Sequence, residues 1–399
     1  MNRSLDVLLV SQMSWGRNAG GPQVNYMLAR ELRERGHTVH KYDIDDAFPD
    51  KNKLIQYFGN FLFRWKALRY VRKHGHEYDV IQAEQGNLPF SRRRLSFDGV
   101  LVANSNGLVH FRDEAHQECE DERSIWNGRG SLLGRLAGWI SDKMTAKVRA
   151  AEKTFEAADL ITLINEDEYN FVVNELGYTE KAMLRYNGLS SERAENLSDH
   201  AKETDRRLAT PQVAFIGAWR RPKGTRDLPK IIRIIREHVP NACFLLLGTG
   251  RSKEKVLTDI RMKERDSVRV VPAFEYEELP ELLSGATVGV LPSYMEGFGL
   301  SVLEMLAARL PVVTYDVPGP RDMVKHFSRR MTVEAGEVED IANLLVEILE
   351  LPVEQYSSLA YEAERISAGF RWEEIAGELE MGVYRQIEGK SSMISTSDL

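Results

Sequence analysis

Two glutamates, Glu296 and Glu304, stand eight positions apart in the stretch "PSYMEGFGLSVLEML" (292–306). Between them, Gly297 and Gly299 permit backbone conformations closed to other residues and let a ligand approach the main chain. The apolar run "TVGVL" leads into this turn, and "SVLEMLAAR", with helical spacing, leads out of it. Ser301 is the expected cap of that helix. A helix start presents unpaired N–H groups at the positive end of the macrodipole, which suits phosphate. Glu304 in the first turn can accept hydrogen bonds from vicinal hydroxyls such as those of a ribose, and Glu296 can do the same for a sugar. A diphosphate with a sugar at each end meets all three groups. Taken singly, each glutamate equally suits a solvated surface. The whole string in its strand-to-helix setting is what points to a ligand.

Such residues need a scaffold. "DVLLVS" (6–11) reads as a buried strand, followed by a glycine-containing loop and by "QVNYMLARELRERGH", in which Val24, Met27, Leu28 and Leu32 keep helical spacing. "TVHKYDI" then resumes as a strand, completing a βαβ unit. The second half repeats the plan. "QVAFIGAW" (212–219) is a strand, "RRPKG" a loop and "DLPKIIRIIREHV" a helix, with Leu228, Ile231, Ile232 and Ile235 on one side. Strands follow at 242–250, 268–274, 287–293 and 311–317. Strand–helix alternation on this pattern predicts an α/β protein of two Rossmann-like, doubly wound parallel-sheet domains. The expected boundaries are an N-terminal domain at 1–195, a linker at 196–210 within the polar stretch 189–210, and a C-terminal domain at 211–370. A helix at 371–389 and a mobile tail at 390–399 complete the chain. In such folds ligands sit at the carboxyl ends of the strands.

Composition narrows the function. With 399 residues, 43% hydrophobic and 28% charged, the chain reads as an ordinary globular protein of about two domains. A net charge of −7 argues against nucleic acid as a partner. The two cysteines, Cys119 and Cys243, lie far apart without His or Cys at metal spacing, so neither a disulfide framework nor a zinc site is expected and a reducing cytoplasm fits. The N-terminal apolar run is too short for a signal peptide and is interrupted by Asp6. The Asp-x-Asp of "YDIDD" (42–46) follows a first-domain strand and is read as a solvated loop rather than a metal site.

"EGFGLSVLE" resembles the E-x7-E signature of the retaining family-4 glycosyltransferases, which have the GT-B fold. Further strings resemble that family in order along the chain: "GGPQVNYMLARELRERGHTV", "EKTFEAADLITLINEDE", "RYNGLS", "FIGAWRRPKG", "VVPAFEYEELPELLSGATVGVLPSYMEGFG" and "RWEEIAGELEMGVYRQI". The resemblance implies two domains with a cleft between them and a C-terminal helix crossing back to the first. It implies that Glu296 contacts the transferred sugar and that Glu304 holds the ribose. Backbone groups at Phe298, Gly299, Leu300 and Ser301 would line the sugar and the distal phosphate. Gly20 and Gly21 would approach the diphosphate from the other domain, and main-chain groups near Ala273 and Phe274 would meet the base. Lys223 falls on the family lysine of the phosphate-contacting loop. The family arginine is replaced by Ala218, with Arg220 the expected substitute and Arg221 the second choice. Where relatives carry a histidine close to the sugar this chain has Asn106, which can hydrogen-bond a hydroxyl but cannot carry a proton as imidazole does. His110 matches the later histidine of that motif.

The implied reaction moves a sugar, with a UDP-hexose favoured, from a nucleotide diphosphate to an acceptor hydroxyl. It would proceed with retention, without metal or cofactor, in polysaccharide or glycolipid synthesis. The acceptor would be a saccharide or lipid-linked. Residues 51–76 carry seven Lys or Arg, no acid and six aromatics. They can dock on anionic lipid at the inner face of the plasma membrane, or pack their aromatics inside the first domain. The segment 112–140 is expected to be a mobile loop over the acceptor. Nucleotide-sugar 2-epimerases share the architecture but need an acid/base array not evident here. A phosphorylase would need a lysine-bound pyridoxal group, and a non-catalytic nucleotide-sugar sensor stays open because of Ala218 and Asn106.

Overall fold

A computed structural model describes residues 3–16, 20–49, 53–111 and 132–397. The chain folds as two compact units, the first made of residues 1–186 with 375–399 and the second of residues 187–374.

Unit 1 is built on a six-stranded sheet: β1 (Asp6–Val10), β2 (Thr38–Tyr42), β3 (Val80–Glu84), β4 (Val100–Asn104), β5 (Leu160–Leu163) and β6 (Ala182–Leu184). The spatial order is β2-β1-β3-β4-β5-β6 and every pairing is parallel. Strands buried on both faces read as continuous apolar runs, as β1 and β4 do. Helix Gly20–Glu34 covers the sheet with Val24, Met27, Leu28 and Leu32, the face its periodicity predicts.

Unit 2 repeats the architecture with β7 (Gln212–Ile216), β8 (Cys243–Leu247), β9 (Val268–Val271), β10 (Val288–Leu291), β11 (Val312–Tyr315) and β12 (Thr332–Val333). Their order is β12-β11-β10-β7-β8-β9, again parallel throughout. Helix Leu228–His238 buries Leu228, Ile231, Ile232, Ile234 and Ile235. Both sheets therefore have the doubly wound form expected. Each has a switch point where the strand order reverses, between β1 and β3 in unit 1 and between β7 and β10 in unit 2. Crevices beside such points are where open α/β sheets bind ligands.

Several expectations are corrected. The stretch read as a linker forms two helices, Ser191–Asp199 and Thr204–Ala209, inside unit 2. The Ser190 hydroxyl caps the first by accepting from the Arg193 N–H at 3.2 Å, and Arg193, Ala194, Leu197 and Ser198 are buried. The final helix runs from Trp372 to Ser397, so the supposed tail from residue 390 is helical as far as Ser397. From Ile375 onward it belongs to unit 1, where Glu380 pairs with Arg35 at 2.6 Å and Lys390 with Asp159 at 2.8 Å. Residues 112–131 of the supposed mobile loop, with Cys119, lie outside the described residues, whereas 132–140 open the helix Leu132–Ala157.

The basic aromatic segment is helical over Lys53–His74. Phe63, Ala67, Leu68 and Val71 enter the unit 1 core, and Tyr70 stacks on Tyr42 at 4.2 Å. Leu62 and Trp65 remain exposed. No helix among the described residues is long and apolar enough to cross a membrane.

Candidate active site

Within unit 2, the loops leaving β7 and β10 meet at the switch point. After β7 the chain forms the short turn Arg221–Lys223, and after β10 it passes through residues 292–299. The Tyr294 N–H donates to the Pro222 carbonyl at 2.9 Å, joining the two loops through the backbone. Their side chains meet as well, since Lys223 Nζ is ion-paired with Glu296 Oε1. Glu296 is largely buried and Lys223 half-buried. The two residues assigned to the diphosphate and to the transferred sugar, 73 positions apart, are thus side by side.

A buried carboxylate stands behind this pair. Asp227 accepts the Tyr294 hydroxyl at 2.6 Å and the Tyr315 hydroxyl at 2.9 Å. Burial, reinforced by Asp227, pushes the Tyr315 hydroxyl well above its ordinary range, so it stays a donor. Residue 227 precedes the helix Leu228–His238, 294 lies in the loop after β10 and 315 ends β11, so the network ties the loops after β7 and β10 to the end of β11.

The helix after the turn spans Leu300–Ala307. Its cap is Gly299, in the left-handed region at φ 87°, and not Ser301, which lies one residue inside the helix. Glycine reaches that conformation without the Cβ penalty other residues suffer. The Val302 N–H bonds to the Gly299 carbonyl at 2.8 Å, while the N–H groups of Leu300 and Ser301 have no intrahelical acceptor, as at any helix start. Phe298 turns its ring inward, 5.8 Å from that of Phe370, leaving only its backbone to line the turn. The turn is held from behind by Gly319, at φ 85°, pressed against the Gly297 and Phe298 backbone.

Glu304 is mostly buried and receives Arg193 NH2 at 3.3 Å. Burial pushes its carboxyl up, and Arg193 opposes that shift. Ala273 is exposed and Phe274 half-buried, the latter with its ring against Gly248. The N–H groups of Gly248 and Gly250 hold that stretch by donating to the carbonyls of Val271 and Pro272, each at 2.9 Å. Arg220 and Arg221 are exposed, and neither side chain makes a hydrogen bond or ion pair among the described residues. Arg220 has an extended backbone, φ −137° and ψ 151°.

In unit 1 the switch point is occupied by Glu84, at the end of β3. Its carboxylate accepts from Ser11 Oγ at 2.9 Å, Asn25 Nδ2 at 3.0 Å, Asn106 Nδ2 at 2.9 Å and, more weakly, Asn87 Nδ2 at 3.5 Å. Burial raises its pKa against those hydrogen bonds. Asn106 is therefore held by Glu84, and its Oδ1 accepts from Asn104 at 3.1 Å. Gly20 and Gly21 open the helix that carries Asn25, and a Cβ at Gly21 would fall 2.6 Å from Met13 Cε. His110 is buried, its ring 5.1 Å from Phe171 and its Nε2 3.5 Å from Glu152. The Asp-x-Asp segment read as a solvated loop is instead a helix start: Asp43 is buried, caps the helix Ile44–Ala47 and pairs with Lys41 at 2.7 Å, as does Asp46 at 3.0 Å.

Sequence reasoning missed Glu84, Arg193, Asp227, Tyr294 and Gly319. A GP dipeptide marks Gly319 as a turn. The four side chains carry no local signal, because each acquires its role from residues distant in the chain.

Residues 198–366 match the family model "Glycosyl transferases group 1". The chain is 26% identical over 250 residues to the glycogen synthase of Mycobacterium tuberculosis, covering 61% of this chain and 58% of that protein. It thus spans under two thirds of this relative's length. Among solved structures, the fold is similar to that of sucrose-phosphate synthase from Thermosynechococcus elongatus, with TM-score 0.71, 18% identity and coverage of 97% of this chain and 100% of that one. HepE of Anabaena, solved in complex with UDP and glucose, gives TM-score 0.65, 16% identity and coverage of 96% and 100%.

Proposed function

We propose that this chain, a member of the glycosyl transferases group 1 across residues 198–366, transfers a sugar from a nucleoside diphosphate to an acceptor hydroxyl. The observation that carries the reading is the Lys223–Glu296 pair at the switch point of unit 2, beside a helix start with free N–H groups. In the reaction, the bond between the anomeric carbon and the phosphate oxygen breaks as the acceptor oxygen bonds to that carbon. Negative charge grows on the departing phosphate. Lys223 and the N–H groups of Leu300 and Ser301 are donors fixed in advance for that charge, each worth about 10²–10³ in rate. Arg220, with its side chain free in solvent, is a further cation available to the diphosphate. Glu296 serves the hydroxyls of the transferred sugar and Glu304 those of the ribose. Displacement is read as retaining, with attack on the face the phosphate leaves and the departing phosphate accepting the acceptor proton.

A UDP-hexose is the favoured donor, supported by a protein of the same fold binding UDP and glucose. The acceptor is read as a saccharide or lipid-linked hydroxyl in polysaccharide or glycolipid synthesis, taken up by unit 1 near Asn106. Neither metal nor cofactor is required in this scheme, and loss of activity in EDTA would refute that. Exposed Leu62 and Trp65, with Arg94 over the Trp65 ring at 4.9 Å, are where the inner face of a membrane would be touched. Failure to sediment with anionic vesicles would remove that contact.

The direct test is incubation with UDP-glucose, ADP-glucose and GDP-mannose, following release of the free diphosphate with candidate acceptors. Release from one donor is expected, falling at least about tenfold in folded Lys223→Ala or Glu296→Ala. Undiminished release by folded Lys223→Ala would overturn the assignment.

A further inference from the structure

Arg193 touches two stretches of unit 2 at once. Its guanidinium carbon lies 3.7 Å from the centroid of the Tyr276 ring, and its NH2 donates to Glu304 Oε1 at 3.3 Å. Tyr276 opens the turn that follows Ala273 and Phe274, and Glu304 sits in the helix after the glycine turn. These are the stretches read as taking the base and the ribose. The side chain is only 3% exposed, yet its Nε is buried with no hydrogen-bond partner among the described residues. Buried polar groups are satisfied in the great majority of cases, so an orphaned donor calls for a specific reason. Holding two ligand-facing residues at once supplies it, because the guanidinium can stack by its face and bond by its edge.

We propose that Arg193 is a positioning residue for the nucleoside half of the donor, holding Glu304 and Tyr276 in a single binding arrangement. The proposal rests on reading unit 2 as the nucleotide-sugar site. Lysine cannot replace arginine here, since an ammonium lacks the planar fork.

A purely structural arginine would also weaken the fold when removed, so the test needs a different signal. Burial raises the Glu304 carboxyl, and Arg193 is the charged group that acts against it among the described residues. A carboxyl raised in this way is an anion above its pKa, and hydroxyl binding declines as pH falls through that value. Removing Arg193 lifts the value further, so the decline begins at higher pH. The diphosphate's own titration is common to all variants and cancels between them.

Calorimetric titration of wild-type protein with UDP, GDP and ADP first identifies the diphosphate bound tightest. Binding of none of the three would end the donor-site reading, and this proposal with it, before any variant is made. That ligand is then titrated into Arg193→Gln, Arg193→Lys, Glu304→Gln and the Arg193→Gln/Glu304→Gln double variant between about pH 5.5 and 8.5. Arg193→Gln is expected to bind about tenfold more weakly at pH 7, with its pH midpoint moved up from that of wild type. In the Glu304→Gln background, removing Arg193 should shift no midpoint. Arg193→Lys, which keeps the charge and loses the fork, should bind weakly with a midpoint close to wild type. Wild-type affinity and midpoint in folded Arg193→Gln, or a midpoint shift that persists without Glu304, would overturn the proposal. If Arg193→Gln does not fold, wild-type affinity in Arg193→Lys overturns it and weakened affinity at an unmoved midpoint supports it.

Discussion

Gly319→Ala tests whether the glycine turn must sit where it does. A Cβ at this position would lie 2.5 Å from the Gly297 carbonyl oxygen, 2.7 Å from Phe298 Cα and 2.8 Å from Phe298 O. These are backbone atoms of the turn itself and cannot swing aside as a side-chain tip would. A real Cβ essentially never comes within 3.0 Å of such an atom, so the turn must retreat by at least about 0.5 Å, and by more to reach ordinary van der Waals separation. Functional constellations tolerate about 0.5 Å, and a shift of about 1 Å can cost 10²-fold. Gly319→Ala is therefore expected to lower kcat/KM by roughly ten- to a hundredfold, about 1.4–2.7 kcal/mol of transition-state stabilisation. The positive φ of 85° adds a stability loss of about 1–3 kcal/mol. Gly36→Ala separates the two effects. Gly36 also has positive φ, 91°, but a Cβ there meets nothing within 4 Å, so that variant should lose stability and keep its activity. Donor turnover at saturating acceptor and denaturant unfolding of both variants make the measurement. A folded Gly319→Ala with wild-type kcat/KM would refute the claim that the 297–299 backbone position sets the rate.

The Asp227 network makes a stability prediction. In Asp227→Ala the wholly buried Tyr315 hydroxyl loses its acceptor, at a cost of about 1–3 kcal/mol, whereas Tyr294 is exposed and can turn to water. Denaturant unfolding of unit 2 should show that loss, and an unchanged midpoint would count against the network. Glu84 gives a pH prediction. Its carboxyl is raised in the folded state, so the fold binds the proton more tightly than the unfolded chain does. Its contribution is then complete below about pH 4.3 and is lost as pH rises from there through the folded value. Glu84→Gln should flatten the stability profile in that window, and parallel profiles for the two proteins would contradict the assignment.

Much of the scaffold was legible because its signals are local. Apolar runs of four or five residues, turn glycines and helical spacing in 24–32 and 228–235 depend only on near neighbours, and β1, β2 and β7 to β11 fall inside the stretches read as strands, whereas β3 to β6 and β12 were not read from the sequence. The strand-to-helix turn at 296–299 was legible for the same reason. Ser301 was misread because its residue type suits a cap, while the backbone places that role two residues earlier, at a glycine able to take φ 87°. The polar run 189–210 was misread because polar composition resembles a linker. Ser190, Arg193 and Ser198 are in fact buried, and their polarity is used inside the unit, as where Ser190 caps a helix and Arg193 meets Glu304.

The sequence by itself determined two parallel-sheet units, the glycine turn with its flanking glutamates, and the lysine loop. Tertiary structure decided which of these meet. Lys223 reaches Glu296 across 73 residues, Ser11 reaches Glu84 across 73, and Arg193 reaches Glu304 across 111. Hydrophobic periodicity specifies that a segment is a strand but not its neighbour in the sheet. The order β10-β7 in unit 2, like β1-β3 in unit 1, is set by crossover handedness and by packing of helices on both faces. That order brings the ends of distant strands together, where a buried charge must find its partner among whatever residues arrive beside it.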